Sequence, residues 1–240
     1  PELVTQLVAA GASPNKRDHK GCTALAYAME DDRDNMLKLL LKQGADLDTC
    51  LPGGITLLML AARLDCLDCM ALLLKRGANP QQTDQWGRTA LMHAAEECSS
   101  DKAIKRLLKN GCSLTAADVR GWTALHYAGM SDDEEVIKRL CQRGADLDAR
   151  DHEGASALMV AAEFNSETAA ERLCKLGADL DLQNDCGKTA AMIACEFDDE
   201  DLALHLLEAG CDVNLCDEVG NDLRTIAEEY ECKDVLDFLH

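Results

Sequence analysis

Glycine placement constrains this chain more than any other feature of its sequence. One series, Gly21, Gly54, Gly87, Gly121, Gly154, Gly187 and Gly220, recurs every 33 residues with a single interval of 34. A second, Gly11, Gly44, Gly77, Gly111, Gly144, Gly177 and Gly210, keeps the same intervals in the same order. Fourteen of the sixteen glycines fall on these two combs, so they act as backbone devices repeated once per unit. A fixed period of this length marks stacked supersecondary units, none of which can bury its apolar face alone. The one extra residue lies between Gly87 and Gly111, and Glu97-Cys98-Ser99-Ser100-Asp101 is the stretch expected to absorb it.

Two residues after each glycine of the first comb stands an oxygen-bearing side chain: Thr23, Thr56, Thr89, Thr123, Ser156, Thr189 and Asp222. Such residues cap helix N-termini by accepting from amides of the first turn. The spacing then predicts a short apolar helix, as in Thr123-Ala124-Leu125-His126-Tyr127-Ala128, and after a polar break a second one. In Glu134-Glu135-Val136-Ile137-Lys138-Arg139-Leu140-Cys141 the residues Val136, Ile137, Leu140 and Cys141 share a face at helical spacing. Gly144 can close this helix in a positive-φ conformation, and Ala145-Asp146-Leu147-Asp148 with Asp151 reads as an extended, turning connection.

A helix–helix–hairpin unit of 33 residues carrying T-A-L-x-x-A and G-A-D-L-D resembles the ankyrin repeat, and the resemblance covers nearly the whole chain. It implies an all-α repeat solenoid of stacked helix-turn-helix units with β-hairpin or turn connections. Within a single domain, 1–240, complete units are expected at 18–50, 51–83, 84–117, 118–150, 151–183 and 184–216. A partial repeat in 1–17 precedes them and a shortened capping repeat in 217–240 follows. Two features depart from the family pattern: its Pro after the cap is Ala24, Leu57, Ala90, Ala124, Ala157 and Ala190 here, and its His stands only at His126. The chain opens within a second helix without an initiator Met, as a piece of a longer protein would. Arg224, Lys233, Asp234 and Asp237 give the last unit the polar outer face a terminal repeat needs.

Composition narrows the classes. Hydrophobic residues make up 47% of the chain but aromatics only 3%, so Leu, Ala, Met, Val and Ile must fill the interior, which suits closely packed helices. No stretch approaches the roughly 18 uncharged apolar residues of a membrane span, and no signal pattern opens the chain. Thirteen scattered Cys, an odd number, argue against a disulfide framework and for an intracellular setting, cytoplasmic or nuclear. The net charge is −20; residues 1–120 hold 15 basic and 15 acidic side chains, residues 121–240 hold 9 and 29. Such a field repels nucleic acid and attracts a basic partner.

Chemistry-bearing patterns are sparse. Cys66-x-x-Cys69 lacks the second pair or nearby histidines a zinc site would want. Cys112 and Cys211 occupy the position held elsewhere by Ala45, Ala78, Ala145 and Ala178, as small buried hydrophobes. No two of the six His gather beside a Cys or Ser. Acidic runs, Asp132-Asp133-Glu134-Glu135 and Asp198-Asp199-Glu200-Asp201, open second helices, where negative charge complements the helix dipole. No phosphate-binding or nucleophile-elbow motif occurs, and neither catalysis, a metal nor a cofactor is expected within this stretch.

In ankyrin-like arrays, partners meet the hairpin tips and the exposed side of the first helices, which line a concave groove. Around each first-comb glycine these are positions −2, −1, +1, +9 and +10. Here they hold Trp86 and Arg120 at −1, Arg88 and Trp122 at +1, Met130 at +9, and Leu64, Phe164, Phe197 and Tyr230 at +10. The +9 series is acidic in five of seven units: Glu30, Glu96, Glu163, Glu196 and Glu229. Aromatic and Arg anchors rimmed by carboxylates match the composition of a binding hot spot. Equally, both tryptophans could pack on neighbouring hairpins and the two Phe could cover gaps between helices.

On the first reading the chain is a monomeric interaction module capturing a protein segment of mixed basic and apolar character, and Trp122→Ala should weaken capture while sparing thermal stability. Two alternatives stay open. The array recruits substrate for a larger enzyme or ubiquitin ligase, or is itself a substrate for Asn/Asp hydroxylation. The resemblance places that modification at Asn15, Asp48, Asp148, Asp181 and Asn214, with Gln81 and Thr115 departing.

Overall fold

The computed structural model describes residues 2–30, 34–47, 49–97 and 100–240. Asp48 and residues 98–99 of the stretch assigned the extra residue lie outside them, as does the side chain of Glu30. Fifteen α-helices and one 3-10 turn are present among the described residues, with no strand. They form two compact units, Pro1–Ser113 and Leu114–His240. The first holds α1 (Glu2–Ala9), α2 (Ala24–Glu30), α3 (Asp34–Lys42), α4 (Leu57–Arg63), α5 (Leu67–Lys75), α6 (Ala90–Glu96) and α7 (Asp101–Lys109). The second holds α8 (Ala124–Met130), α9 (Glu134–Gln142), α10 (Ala157–Glu163), α11 (Glu167–Leu176), α12 (Ala190–Glu196), α13 (Glu200–Glu208), α14 (Leu223–Glu229) and α15 (Lys233–Phe238).

The caps fall where the sequence puts them in six of the seven units; the exception is Thr23, which is buried with its hydroxyl oxygen unpartnered among the described residues. Thr56, Thr89, Thr123, Ser156, Thr189 and Asp222 each accept a hydrogen bond from an amide of the first turn that follows. Each such bond is worth about 1 kcal/mol. Except for α14, where only Leu223, Ile226 and Ala227 are buried, the short helices they open are buried on nearly every side: Ala157 to Ala162 of α10 and Ala190 to Cys195 of α12 are all interior. Small side chains allow this, because helices rich in Ala approach one another closely. In the second unit α8, α10, α12 and α14 pack in sequence as one layer, and α9, α11, α13 and α15 as another. The outer layer is amphipathic. In α9, Val136, Ile137 and Leu140 are buried while Cys141 is half-buried. A fully buried Leu of this kind contributes about 2 kcal/mol.

The hairpins owe their shape to a third comb that runs three residues before the glycines. Asp18, Asp84, Asp118, Asp151, Asn184 and Asp217 each point one side-chain oxygen back into the turn, where it accepts from two backbone amides, such as those of Arg120 and Trp122 on Asp118. Side-chain acceptors satisfy the amides that strand pairing would otherwise engage. Adjacent hairpins are stitched by single backbone bonds, His152 to Arg120 and Asp185 to Glu153, both 2.9 Å. Gly121 permits that approach, since a Cβ there would lie 2.7 Å from the His152 nitrogen. Gly144, at φ 90°, closes α9 in the conformation predicted for it.

The acidic runs have structural duties throughout. Asp132 and Asp198 take positive φ in the interhelix turn, and Asp133 and Asp199 cap α9 and α13. Glu134 pairs with Arg172, and Glu135 with Lys138.

The expectation of unlinked cysteines is corrected at one pair. Cys66 caps α5 and Cys69 sits in its first turn, which brings their Cα atoms to 5.3 Å, and their sulfurs are joined in a disulfide. Among the other described cysteines, Cys22, Cys112, Cys141, Cys174, Cys186, Cys195, Cys211, Cys216 and Cys232 are free thiols. Burial holds the Cys112 thiol up at about 12 and Cys141, Cys174 and Cys211 at about 11, so these groups stay protonated and behave as small apolar side chains.

Candidate protein-interaction face

Hairpin tips and the C-terminal ends of the first helices carry the predicted site residues, and the two units treat them differently. In the first unit the Trp86 indole is 44% exposed and lies over the preceding turn, within 3.3 Å of where a Cβ on Gly53 would stand. The Arg88 guanidinium approaches its ring at 5.0 Å. Arg88 is not a free anchor, however. Its Nε donates to Asp84 at 3.0 Å and its Nη1 to Glu96 at 2.9 Å. Asp84 also meets the buried His93 ring at 3.0 Å. These bonds hold Asp84 below the usual carboxylate range against the opposing effect of its burial. Burial and the Arg88 charge hold His93 below its ordinary value. Arg88 and Glu96, expected to face a partner, therefore satisfy each other. Leu64, at the end of α4, is exposed as expected.

In the second unit the structure corrects the expectation for Trp122. Its side chain is only 5% exposed. The indole Nε1 donates to Asp151 at 2.9 Å, and the ring meets Tyr127 and Phe164 edge-on at centroid distances of 5.3 and 6.3 Å. Arg120 covers the remaining face at 3.9 Å. The ring is buried because its hairpin folds back beneath Arg120 toward Asp151 of the next repeat. Trp122 is thus a joint between repeats rather than a projecting anchor, and its replacement must cost stability. Phe164 and Phe197 do project, 48% and 46% exposed, and Met130 is half-buried.

Beside Trp122 opens a cavity of about 480 Å³, lined by Arg120, Asp151, His152, Glu153, Met159 and Glu163 among others. The glutamates at the ends of the first helices explain its charge. Glu96 is neutralised by Arg88, eight residues earlier, and Glu196 by Lys188 at the same separation. In the repeat of Glu163 that earlier position is Ala155, so the cation is missing. Partial burial, then the negative charges of Glu153 and Asp151, hold the Glu163 carboxyl above its usual range, with Arg120 opposing them. The result is a pocket in which three carboxylates, Glu163, Glu153 and Asp151, share one guanidinium, that of Arg120, beside Trp122 and Met159. The sequence carried the signal for both the third comb and the paired glutamates, but only the folded hairpin shows which side chains meet.

His126 is fully buried, accepting from Thr123 at Nδ1 and bonded through Nε2 to the Ala155 carbonyl. That is structural work. Asn15 also bridges repeats: its amide donates to Gly44 at 3.2 Å and accepts from Asp46 at 2.7 Å. Asp148 and Asp181 accept from the next hairpin in the same manner. Among the described residues Asn214 bonds only within its own hairpin, donating to Asp212 and accepting from Cys216.

Comparison with known proteins agrees with this geometry. A family model of three tandem ankyrin repeats matches residues 1–84, 74–151 and 148–217. The chain belongs to the ankyrin repeat family. Among solved structures it is similar to the ankyrin repeat domain of Bcl-3, described as a unique member of the IκB protein family. The TM-score is 0.75 at 29% identity, over 91% of this chain and 100% of that one. No curated protein sequence matches it. Ankyrin repeats are interaction modules that bind other proteins and are generally non-catalytic, which is the class of this chain. No described helix is long and apolar enough to cross a membrane.

Proposed function

We propose that this ankyrin repeat chain captures a protein segment mixing basic and apolar residues, with an Arg or Lys side chain entering the cavity beside Trp122. The observation that carries this reading is the missing cation at Ala155, which leaves Glu163 in the company of Glu153 and Asp151 with only Arg120 to offset the three carboxylates. A partner guanidinium would supply what Arg88 and Lys188 supply in their own repeats. Phe164 and Phe197 then offer apolar contact beside the charge, and Trp86 with Leu64 do so on the first unit. The remaining acidic surface speeds the encounter with a basic partner. On this reading 1–240 acts as one monomeric domain of the repeats delimited above, inside the cell; the unlinked thiols fit a reducing setting, and the joined Cys66 and Cys69 run against it.

The test is fluorescence anisotropy with a labelled twelve-residue peptide of alternating Arg and Leu. Glu163→Lys, which builds the cation into the chain, should weaken binding at least tenfold. Glu196→Gln, whose carboxylate is already neutralised, should change it little. Equal binding by Glu163→Lys and the unaltered chain would remove the proposal.

Hydroxylation remains a second use of the same hairpins, favoured by the exposure of Asn15 and Asn214. Asn15 must surrender its two bridging bonds before it can be modified, so Asn214 would be modified first.

A further inference from the structure

The outer face of the first unit holds a surface of opposite character. Helices α5 and α7 pack side by side, and the groove between them encloses about 570 Å³. Ala71 and Leu74 form its floor, and Lys75, Lys102, Lys105, Arg106 and Lys109 stand around it. In α7, Asp-Lys-Ala-Ile-Lys-Arg-Leu-Leu-Lys, the residues Ala103, Ile104 and Leu107 are buried, and of the charged remainder only Asp101 is negative. Lys105 takes that carboxylate at 2.8 Å. Arg106 reaches across to donate to the Leu67 carbonyl of α5. Lys75, Lys102 and Lys109 are exposed and, among the described residues, meet no carboxylate.

Packing does not call for these cations. The corresponding groove of the second unit, between α11 and α13, is lined instead by Glu167, Glu171, Asp201 and Glu208. Within α7 the pair of Lys105 with Asp101 and the last-turn Arg106 and Lys109 support the helix, whereas Lys102 with Arg106 and Lys105 with Lys109 are like charges four residues apart, which oppose it. Lys75, Lys102 and Lys109 remain as an exposed basic cluster in a chain of net charge −20.

We infer that this groove docks an acidic amphipathic helix of another protein, with carboxylates against the lysines and apolar side chains on Ala71 and Leu74. The nine residues of α7 span about 13 Å, two to three turns of such a helix. A longer polyanion is disfavoured: the field of the patch is screened within about 8 Å at physiological salt, and residues 1–120 around it hold equal numbers of basic and acidic side chains, 15 each, so no basic excess continues the track.

Anisotropy with the full chain and a labelled sixteen-residue peptide, Glu on one face and Leu on the other, tests the inference. Saturable binding is expected, weakened at least tenfold by Lys75→Glu/Lys109→Glu and unchanged by Glu163→Lys, which separates this surface from the cavity beside Trp122. Replacing Leu by Ser in the peptide should cost at least fivefold. Should the double variant fail to fold by circular dichroism, Lys75→Gln/Lys109→Gln supplies the same readout with a smaller expected loss of about threefold. Unchanged binding by the charge variants overturns the inference. So does equally tight binding of a single-stranded oligonucleotide of the same charge, or self-association in sedimentation that these substitutions abolish.

Discussion

Replacing Trp122 by Ala removes the largest joint between two repeats of the second unit. Burial at 5% exposure makes this a core truncation, for which Trp→Ala costs roughly 3 to 5 kcal/mol. The lost Nε1 bond leaves Asp151 Oδ2 without its donor, and the edge-on contacts to Tyr127 and Phe164 vanish, which places the loss toward the upper part of that range. Trp122→Phe keeps the ring contacts and forfeits the hydrogen bond, for about 1 to 2 kcal/mol. In a unit of this size, about 4 kcal/mol corresponds to a fall in Tm of roughly 10 to 20 °C. Thermal and urea unfolding followed by far-ultraviolet circular dichroism measure the total, and amide exchange shows whether the weakened repeats open first, as a nearest-neighbour array allows. A Trp122→Ala chain within about 1 kcal/mol of the unaltered one would refute the burial argument and return Trp122 to the surface.

Two further outcomes follow from titration and burial. His93 and His126 are held below their ordinary value, mainly by desolvation. The unfolded chain therefore takes up their protons first, so the stability they confer is complete above about pH 6.5 and is lost as pH falls below it; Tm measured at pH 7.5 and 5.5 should drop, and a constant Tm would contradict this. Iodoacetamide should label the exposed Cys186 and Cys216 well before the buried Cys112 and Cys195, whose thiols burial keeps protonated; peptide mapping of a short exposure that found all four equally modified would show the core to be open.

The fold was legible because the devices that build it are local and periodic. Gly144 had to end a helix and Thr123 had to begin one, whatever lay around them, and both do. The candidate face was legible only in part, because exposure there depends on a neighbour one repeat away. Trp86 and Trp122 lie on either side of equivalent glycines, yet one rests over Gly53 in solvent while the other is enclosed by Arg120, Tyr127, Asp151 and Phe164. Arg88 and Glu96 likewise looked available until the turn of a short helix brought them together. Glu163 gained interest for the converse reason: Ala155 gives it nothing to pair with. The joined sulfurs of Cys66 and Cys69 escaped a reading based on the number and scatter of cysteines, since a helix start alone brings that spacing together.

The central claim concerns where a basic segment is held. Hydrogen–deuterium exchange of the chain with and without the Arg–Leu peptide measures it most directly. Protection should concentrate in the hairpin from Asp151 to Ala155 and the end of α10 around Glu163 and Phe164, and should disappear in Glu163→Lys. Protection confined to other repeats, or none at saturating peptide, would contradict the account.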